Sequence, residues 1–320
     1  MSLLDPSIVD EGLRASLDDV DALMRSTVAS DHPLVSQASV HLIDAGGKRL
    51  RPILTMLAGR FGDGDHGDLV RCAAAIELTH LATLYHDDVI DETTVRRGVE
   101  TVNARYDNHV AVLTGDFLLA RASALAAELG PYVCIRLANT IGDLCEGEII
   151  ETAGAGSATP SIETYLDVVK RKTASLLASS CHLGAWVAGA DDQTVERLTA
   201  YGEAVGVAFQ LADDVLDVAG TVDDTGKVPG TDLREGVYTL PVLETFAGSV
   251  PGAGELRAAL DAGEVDRALS ILRENGSVER ARIEIERWQA RATEALDGLA
   301  PDPARDKLRS LAGFVGERTG

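Results

Sequence analysis

Two five-residue runs, Asp87-Asp88-Val89-Ile90-Asp91 and Asp213-Asp214-Val215-Leu216-Asp217, have the composition and spacing of a cation site. Each reads D-D-x-x-D at the end of an apolar stretch with helical periodicity. Residues i and i+4 of a helix share a face one turn apart. Asp87 therefore points the same way as Asp91, and Asp213 the same way as Asp217. Like charges so placed repel by roughly 0.2–0.5 kcal/mol per pair, and a multivalent cation turns that repulsion into binding. Carboxylate oxygens are hard donors, which selects Mg2+, and Mg2+ usually arrives with phosphate. In a chain with 51 acidic residues a single run reads as readily as a solvated helix end. Two runs flanked by Leu84, Val89, Ile90, Leu211, Val215 and Leu216 read as paired metal sites.

A net charge of −22 argues against nucleic acid and against an acidic membrane surface as partners, and it obliges any phosphate site to carry its own positive pocket. The cations are unevenly spent. Lysine occurs only at positions 48, 170, 172, 227 and 307, and the first four lie in motif-like segments. In Gly46-Gly47-Lys48-Arg49-Leu50-Arg51-Pro52, two glycines allow close backbone approach, and Lys48 and Arg51 are placed to meet one anion. His80 stands about two helical turns before Asp87 on the same face; taken alone it reads as a core histidine. Arg96 and Arg97 follow the first run, where a helix C-terminus favours cations. Lys172 and Thr173 sit mid-helix, Gln210 lies three residues before Asp213, and Lys227 lies in a Gly-rich loop able to close over a ligand. His86 reads as a supporting residue. Glu146, Glu148 and Glu151, without matching bases, read as a solvated helix face.

The elements that must position these residues are helical. Aromatic residues make up 4% of the chain and strand-like alternation is scarce, whereas apolar positions recur at helical spacing from residue 5 to 29 and again over 194–218. Pro160 and Ser161 open a further stretch through Trp186, with Thr159 as its expected N-cap. The expected fold is all-α: a single large bundle of ten to thirteen helices over residues 1–320, with both acidic motifs facing a central cavity. No apolar run approaches the length of a membrane span, the N-terminus lacks a signal-peptide core, and Cys72, Cys134, Cys145 and Cys181 read as buried free thiols. A cytoplasmic protein is expected.

In order, the segments G-G-K-R-L-R-P (46–52), H-D-D-V-I-D-E-T-T-V-R-R-G (86–98), G-D-F-L-L-A-R (115–121), K-T-A (172–174), F-Q-L-A-D-D-V-L-D (209–217) and G-K-V-P-G-T-D-L (226–233) resemble the trans (all-E) isoprenyl diphosphate synthases, over about residues 40 to 245. That resemblance implies an isoprenoid-synthase bundle that assembles as a homodimer, as the family does. It implies Mg2+, three ions per active site, and two substrates, isopentenyl diphosphate and an allylic diphosphate (geranyl, farnesyl or geranylgeranyl). The implied reaction ionises the allylic diphosphate, adds the cation to the double bond of isopentenyl diphosphate, and ends with loss of a proton. By the same resemblance Asp87, Asp91 and Asp213 bind metal, with Asp88, Asp214 and Asp217 completing the two acidic motifs. Arg96, Lys172 and Lys227 hold the allylic diphosphate. Lys48, Arg51, His80 and Arg97 hold isopentenyl diphosphate. Thr173 and Gln210 turn oxygen dipoles toward the cation.

One position departs from the pattern: Val237 stands where the family often carries a second loop lysine. Ala82 and Thr83, five and four residues before Asp87, are small where members with short products tend to carry an aromatic ring, so the expected product is hexaprenyl to nonaprenyl. A geranylgeranyl diphosphate synthase is the alternative. A class I terpene cyclase needs only one such acidic run, and a non-catalytic partner subunit has typically lost them.

Overall fold

The computed structural model describes residues 8–154, 159–220 and 228–317. Among them the chain is helical almost throughout, and the described residues fall into two compact units. Sixteen α-helices occur among the described residues, more than the ten to thirteen expected, because the C-terminal part breaks into short segments at Gly236, Gly252 and Gly276.

The first unit comprises residues up to Ile141, Leu176–Thr199 and Leu299–Leu308. Helix α1 (Glu11–Thr27) starts at Asp10, whose carboxylate accepts the Leu13 N–H at 2.9 Å. It buries Leu13, Leu17, Val20 and Met24 as one stripe. Helices α2 (Pro33–Asp44) and α3 (Leu50–Ala58) follow. The axis of the unit is α4 (His66–Ile90), capped by Asp65 and buried on nearly every face from Leu69 to Tyr85. Tyr85 fastens α4 to α2, its hydroxyl donating to the Ala38 carbonyl at 2.6 Å and accepting the Leu42 N–H at 3.3 Å. After the short α5 (Val102–Arg105), helix α6 (Asn108–Glu128) packs along α4. Helix α7 (Pro131–Gly154) enters this unit with its first turns, where Thr140 and Ser179 hydroxyls meet at 2.6 Å. Ser179 belongs to α9 (Ser175–Val187), which lies so close to α3 that a Cβ at Gly184 would stand 2.3 Å from the Thr55 carbonyl oxygen.

The second unit comprises Gly142–Ser175, Ala200–Gly298 and the residues from Arg309. Ser161, rather than Thr159, caps α8 (Ile162–Val169), its hydroxyl accepting the Thr164 N–H at 3.0 Å. A single π-turn, Lys170–Ala174, joins α8 to α9. The long α10 (Asp192–Ala219) carries the second acidic run in its last turns; Arg273 of α14 (Val265–Glu274) donates to the Val218 carbonyl at 2.7 Å, satisfying one of the helix-end acceptors. Around them stand α11 (Thr231–Glu235), α12 (Leu240–Phe246), α13 (Ala253–Asp261), α15 (Ser277–Asp297) and α16 (Pro303–Glu317).

Two expectations about the chain are corrected. Among the described residues α6 is long and apolar enough to cross a membrane by length and composition, with a mean hydropathy of 1.5 over its most apolar window. Cys72 and Cys181 are buried and Cys134 partly so, but Cys145 is exposed.

Candidate active site

The first acidic run ends α4. Asp87 is half-buried, Asp91 is the exposed C-cap, and the Asp91 N–H closes the last turn on the Asp87 carbonyl at 2.8 Å. Both carboxylates therefore sit where the helix dipole is negative, and the last turn holds no basic residue to offset it. Asp88, about 100° around the helix, turns inward instead: it is 2% exposed and accepts from Arg96 Nε at 2.5 Å. Burial pushes its carboxyl pKa up, against the pull of Arg96. This ion pair makes Asp88 an anchor for Arg96. His86 packs against α6, where a Cβ at Gly115 would stand 2.3 Å from its Nε2, and that nitrogen lies 3.2 Å from the Val112 carbonyl. The G-D-F segment thus supplies a seat for the residue next to Asp87.

Arg96 and Arg97 are not at a helix end, as expected from the sequence, but on a two-stranded hairpin, Val95–Arg96 with Val99–Glu100. Arg97 (φ 53°) and Gly98 (φ 77°) form its turn, and two consecutive positive φ values are what a tight hairpin of this hand requires. Arg97 Nη1 donates to the carbonyls of Leu42, at 3.1 Å, and Gly46. Its guanidinium lies across Gly47, where a Cβ would come within 2.8 Å of it. The Gly46-Gly47 loop therefore needs glycine so that the hairpin can dock.

Around this loop the first unit gathers Arg49, Arg51, Arg96 and Arg97 about His80. Burial first, and then these four cations, hold the His80 imidazole well below its ordinary pKa, so it stays neutral. Burial also lowers Arg51 to about 10, partly offset by Glu77. Arg51 Nε is buried without a hydrogen-bond acceptor, and Lys48 is exposed on the loop. The sequence reading passed over two residues that organise this cluster. Arg49, at φ 49°, spreads its guanidinium over Asp21 (2.8 Å), the Ile43 carbonyl (3.1 Å) and Glu77 (3.2 Å), tying α1, α2 and α4 at one point. Glu77 precedes His80 by three residues on the same helical face, a spacing the sequence did display. Ala82 is wholly buried; Thr83 is partly exposed and donates its hydroxyl to the His80 carbonyl at 2.8 Å.

In the second unit the π-turn widens the helix at Lys172 and Thr173, a feature frequent at functional sites. It is seated on Gly147, whose Cβ would meet the Lys172 nitrogen at 3.0 Å. Lys172 Nζ lies 2.7 Å from Glu148 and 2.6 Å from Glu151. Burial alone would lower its pKa, but the Glu151 and Glu148 carboxylates outweigh that and hold the ammonium above the ordinary lysine range. Glu146 pairs with Arg171. The expectation that these three glutamates lack basic partners is thus overturned; α7 and the π-turn bring them together across the turn. Lys170 is structural, 3.3 Å from Glu203 and 5.3 Å from the centre of the Trp288 ring.

Asp213 is half-buried on α10, nearly two turns before that helix ends at Ala219. Asp214 turns inward: Gln210 Nε2 donates to its Oδ1 at 2.9 Å and the Tyr165 hydroxyl donates to its Oδ2. Burial pushes Asp214 up to about 7 despite these two bonds, and burial with the adjacent carboxylate holds the Tyr165 phenol well above its ordinary value. Thr173 Oγ1 donates to Gln210 Oε1 at 2.8 Å. Asp217 accepts the N–H groups of Thr231 and Asp232 at 3.1 and 3.2 Å, capping α11. Asp88, Asp214 and Asp217, expected at metal, are thus held by Arg96, by Gln210 and Tyr165, and by the α11 backbone. Lys227 lies outside the described residues; Val237 is half-buried, its N–H bound to the Asp232 carbonyl at 2.8 Å.

No group of three or more potential metal ligands gathers among the described residues. The donor chemistry nevertheless suits Mg2+, which keeps several waters and takes one or two carboxylates together with phosphate oxygens. In the first unit Asp87 and Asp91 present carboxylates at the negative end of α4, and in the second Asp213 presents one on α10.

The sequence profile of the family "Polyprenyl synthetase" matches residues 32–272. The nonaprenyl diphosphate synthase of Mycobacterium tuberculosis is 42% identical over 99% of this chain and 96% of that protein. Among solved structures, a decaprenyl diphosphate synthase from Rhodobacter capsulatus superposes with a TM-score of 0.90 at 35% identity, covering 98% of each chain. A polyprenyl synthase from Caulobacter crescentus, complexed with calcium and isoprenyl diphosphate, does so with 0.89 at 34% identity, covering 96% of each. The chain therefore belongs to the polyprenyl synthetase family and is a trans-prenyltransferase.

Proposed function

We propose that the chain condenses an allylic diphosphate with isopentenyl diphosphate, and that it works as one catalytic domain in which both aspartate runs serve a single reaction. The observation that carries the substrate assignment is the cluster of four arginines about a neutral His80, with a buried Arg51 Nε that lacks an acceptor. Such a cluster suits a diphosphate, and Lys48, Arg51, His80 and Arg97 are the residues we assign to isopentenyl diphosphate. Arg96, Lys172 and Lys227 are assigned to the allylic diphosphate, with geranyl, farnesyl or geranylgeranyl as its tail.

Asp87, Asp91 and Asp213 would hold Mg2+, three ions in all, with Asp88, Asp214 and Asp217 fixing the surrounding side chains. Bound magnesium supplies neutralisation of the leaving diphosphate. The chain's own residues do the rest. Arg96 and Lys172, each already charged and oriented by a carboxylate, stabilise the negative charge that grows on the leaving group. Thr173 and Gln210 present oxygen to the allylic cation. Lys48, Arg51, His80 and Arg97 hold isopentenyl diphosphate by its phosphates so that its double bond meets that cation, and the departing diphosphate takes the final proton.

A hexaprenyl to nonaprenyl product is favoured by the small Ala82 and Thr83 on the face of α4 that leads away from Asp87. We further propose a homodimer, with a second copy covering the apolar face of α6 that leaves Leu113 66% exposed. Free Cys72, Cys134, Cys145 and Cys181 support a reducing, cytoplasmic setting. The test is steady-state kinetics of Arg51→Gln. Loss of one charge-assisted bond raises KM for isopentenyl diphosphate roughly tenfold, with KM for the allylic substrate unchanged. An equal rise in both would refute the assignment.

A further inference from the structure

Thr173 and Gln210 are the near end of a longer hydrogen-bonded chain in the second unit. Its far end is Tyr165, 8% exposed, which donates its hydroxyl to Asp214 Oδ2; Asp214 is itself 5% exposed. Asp214 Oδ1 accepts from Gln210 Nε2 at 2.9 Å, and Gln210 Oε1 accepts from Thr173 Oγ1 at 2.8 Å. Proton order along the chain follows from donor and acceptor chemistry. In its ionised form Asp214 only accepts, and the amide then turns its NH2 toward Asp214 and its oxygen toward Thr173. The Thr173 hydroxyl has one proton and gives it to Gln210, which leaves its lone pairs directed away from the chain. The Thr173 and Gln210 dipoles then share one sense, with the negative end on Thr173 Oγ1, and aligned hydrogen bonds reinforce one another; Tyr165 donates to Asp214 from the other side and holds that carboxylate in place.

We propose that Tyr165 and Asp214 are positioning residues for allylic ionisation, Asp214 polarising the Thr173 oxygen through Gln210 and Tyr165 holding the Asp214 carboxylate in place. In that step the C1–O bond of the allylic diphosphate breaks heterolytically. The electron pair leaves with the diphosphate, positive charge spreads over the allylic carbons, and no proton moves. The oriented oxygen is fixed before the charge develops, so no reorganisation is needed as it forms. Two features of the fold serve the chain: the π-turn at Lys170–Ala174, which carries Thr173, and Gly147, on which that turn rests. The inference rests on the reading that Thr173 and Gln210 face the cation.

The test is a double-mutant cycle on the full-length enzyme. Tyr165→Phe removes one oxygen and is expected to lower kcat about tenfold, with KM for both substrates within about twofold of wild type. In a Thr173→Val background the same substitution should change kcat by less than about twofold, whereas in Thr173→Ser, which keeps the hydroxyl, the tenfold effect should return. Asp214→Asn, which keeps an acceptor for Tyr165 but not the charge, should show the same dependence on Thr173, and serves if Tyr165→Phe does not fold. A Tyr165→Phe effect of equal size in the Thr173→Val background would overturn the relay while leaving Thr173 in its assigned role. Wild-type kcat in Thr173→Val alone would overturn that role, and the relay with it.

Discussion

Arg49→Met is the most informative single perturbation of the first unit. The Arg49 side chain is 7% exposed and its partner Glu77 is 2% exposed, so the pair is shielded from water and from salt. Removing the guanidinium leaves Glu77 buried beside a lost donor, and it strips partners from Asp21 and the Ile43 carbonyl. Breaking a buried pair from one side costs about 3–5 kcal/mol. Methionine keeps the apolar stem and has the same difficulty as arginine with the left-handed backbone at φ 49°, so the backbone contribution cancels. We therefore expect Arg49→Met to lower stability by about 3–5 kcal/mol in urea or guanidinium titrations at constant pH. Glu77→Met alone should cost a similar amount, because it leaves Arg49 half-satisfied. The double variant should lose less than the sum of the two singles, by about 2 kcal/mol or more, since neither charge is then stranded. Additive losses, or an Arg49→Met loss below about 1 kcal/mol, would refute Arg49 as the clasp that ties α1, α2 and α4 together.

Two further outcomes follow from the geometry. Thr83 is partly exposed and Ala82 wholly buried, so Thr83→Phe should shorten the product with the fold intact, whereas Ala82→Phe should cost about 1–3 kcal/mol by overpacking; chromatographic sizing and thermal melts separate the two. His182 is lowered to about 4 by burial and by Arg136, and it is held neutral between the Tyr132 hydroxyl at 2.8 Å and Thr199 Oγ1 at 2.9 Å. Its stabilising contribution is therefore present above the unfolded value near 6.5 and is lost as pH falls toward 4. With allowance for its partial exposure, the loss should be about 1–2 kcal/mol relative to His182→Gln, read from stability curves over that range.

How much of this was legible in the sequence depended on whether chemistry is carried by residue type or by backbone path. Helical periodicity disclosed the all-α fold, and the D-D-x-x-D runs disclosed their own helix ends, because both signals are local. The hairpin bearing Arg96 and Arg97 was missed: its strands are two residues long, and only the positive φ at Arg97 and Gly98 marks it. The pairing of Lys172 with Glu148 and Glu151 was missed for a different reason. It joins residues more than 20 positions apart through a π-turn that no 3.6-residue pattern reveals. Asp88 and Asp214 look like ligands in the motif, but a step of one residue along a helix turns a side chain away from its neighbour, and each is buried against a protein partner.

The most direct measurement is product analysis after incubation with Mg2+, farnesyl diphosphate and labelled isopentenyl diphosphate. The account predicts label in polyprenyl diphosphates of hexaprenyl to nonaprenyl length, with incorporation abolished by chelation of the metal and by Asp87→Asn. Absence of incorporation, or products that stop at geranylgeranyl diphosphate, would contradict it.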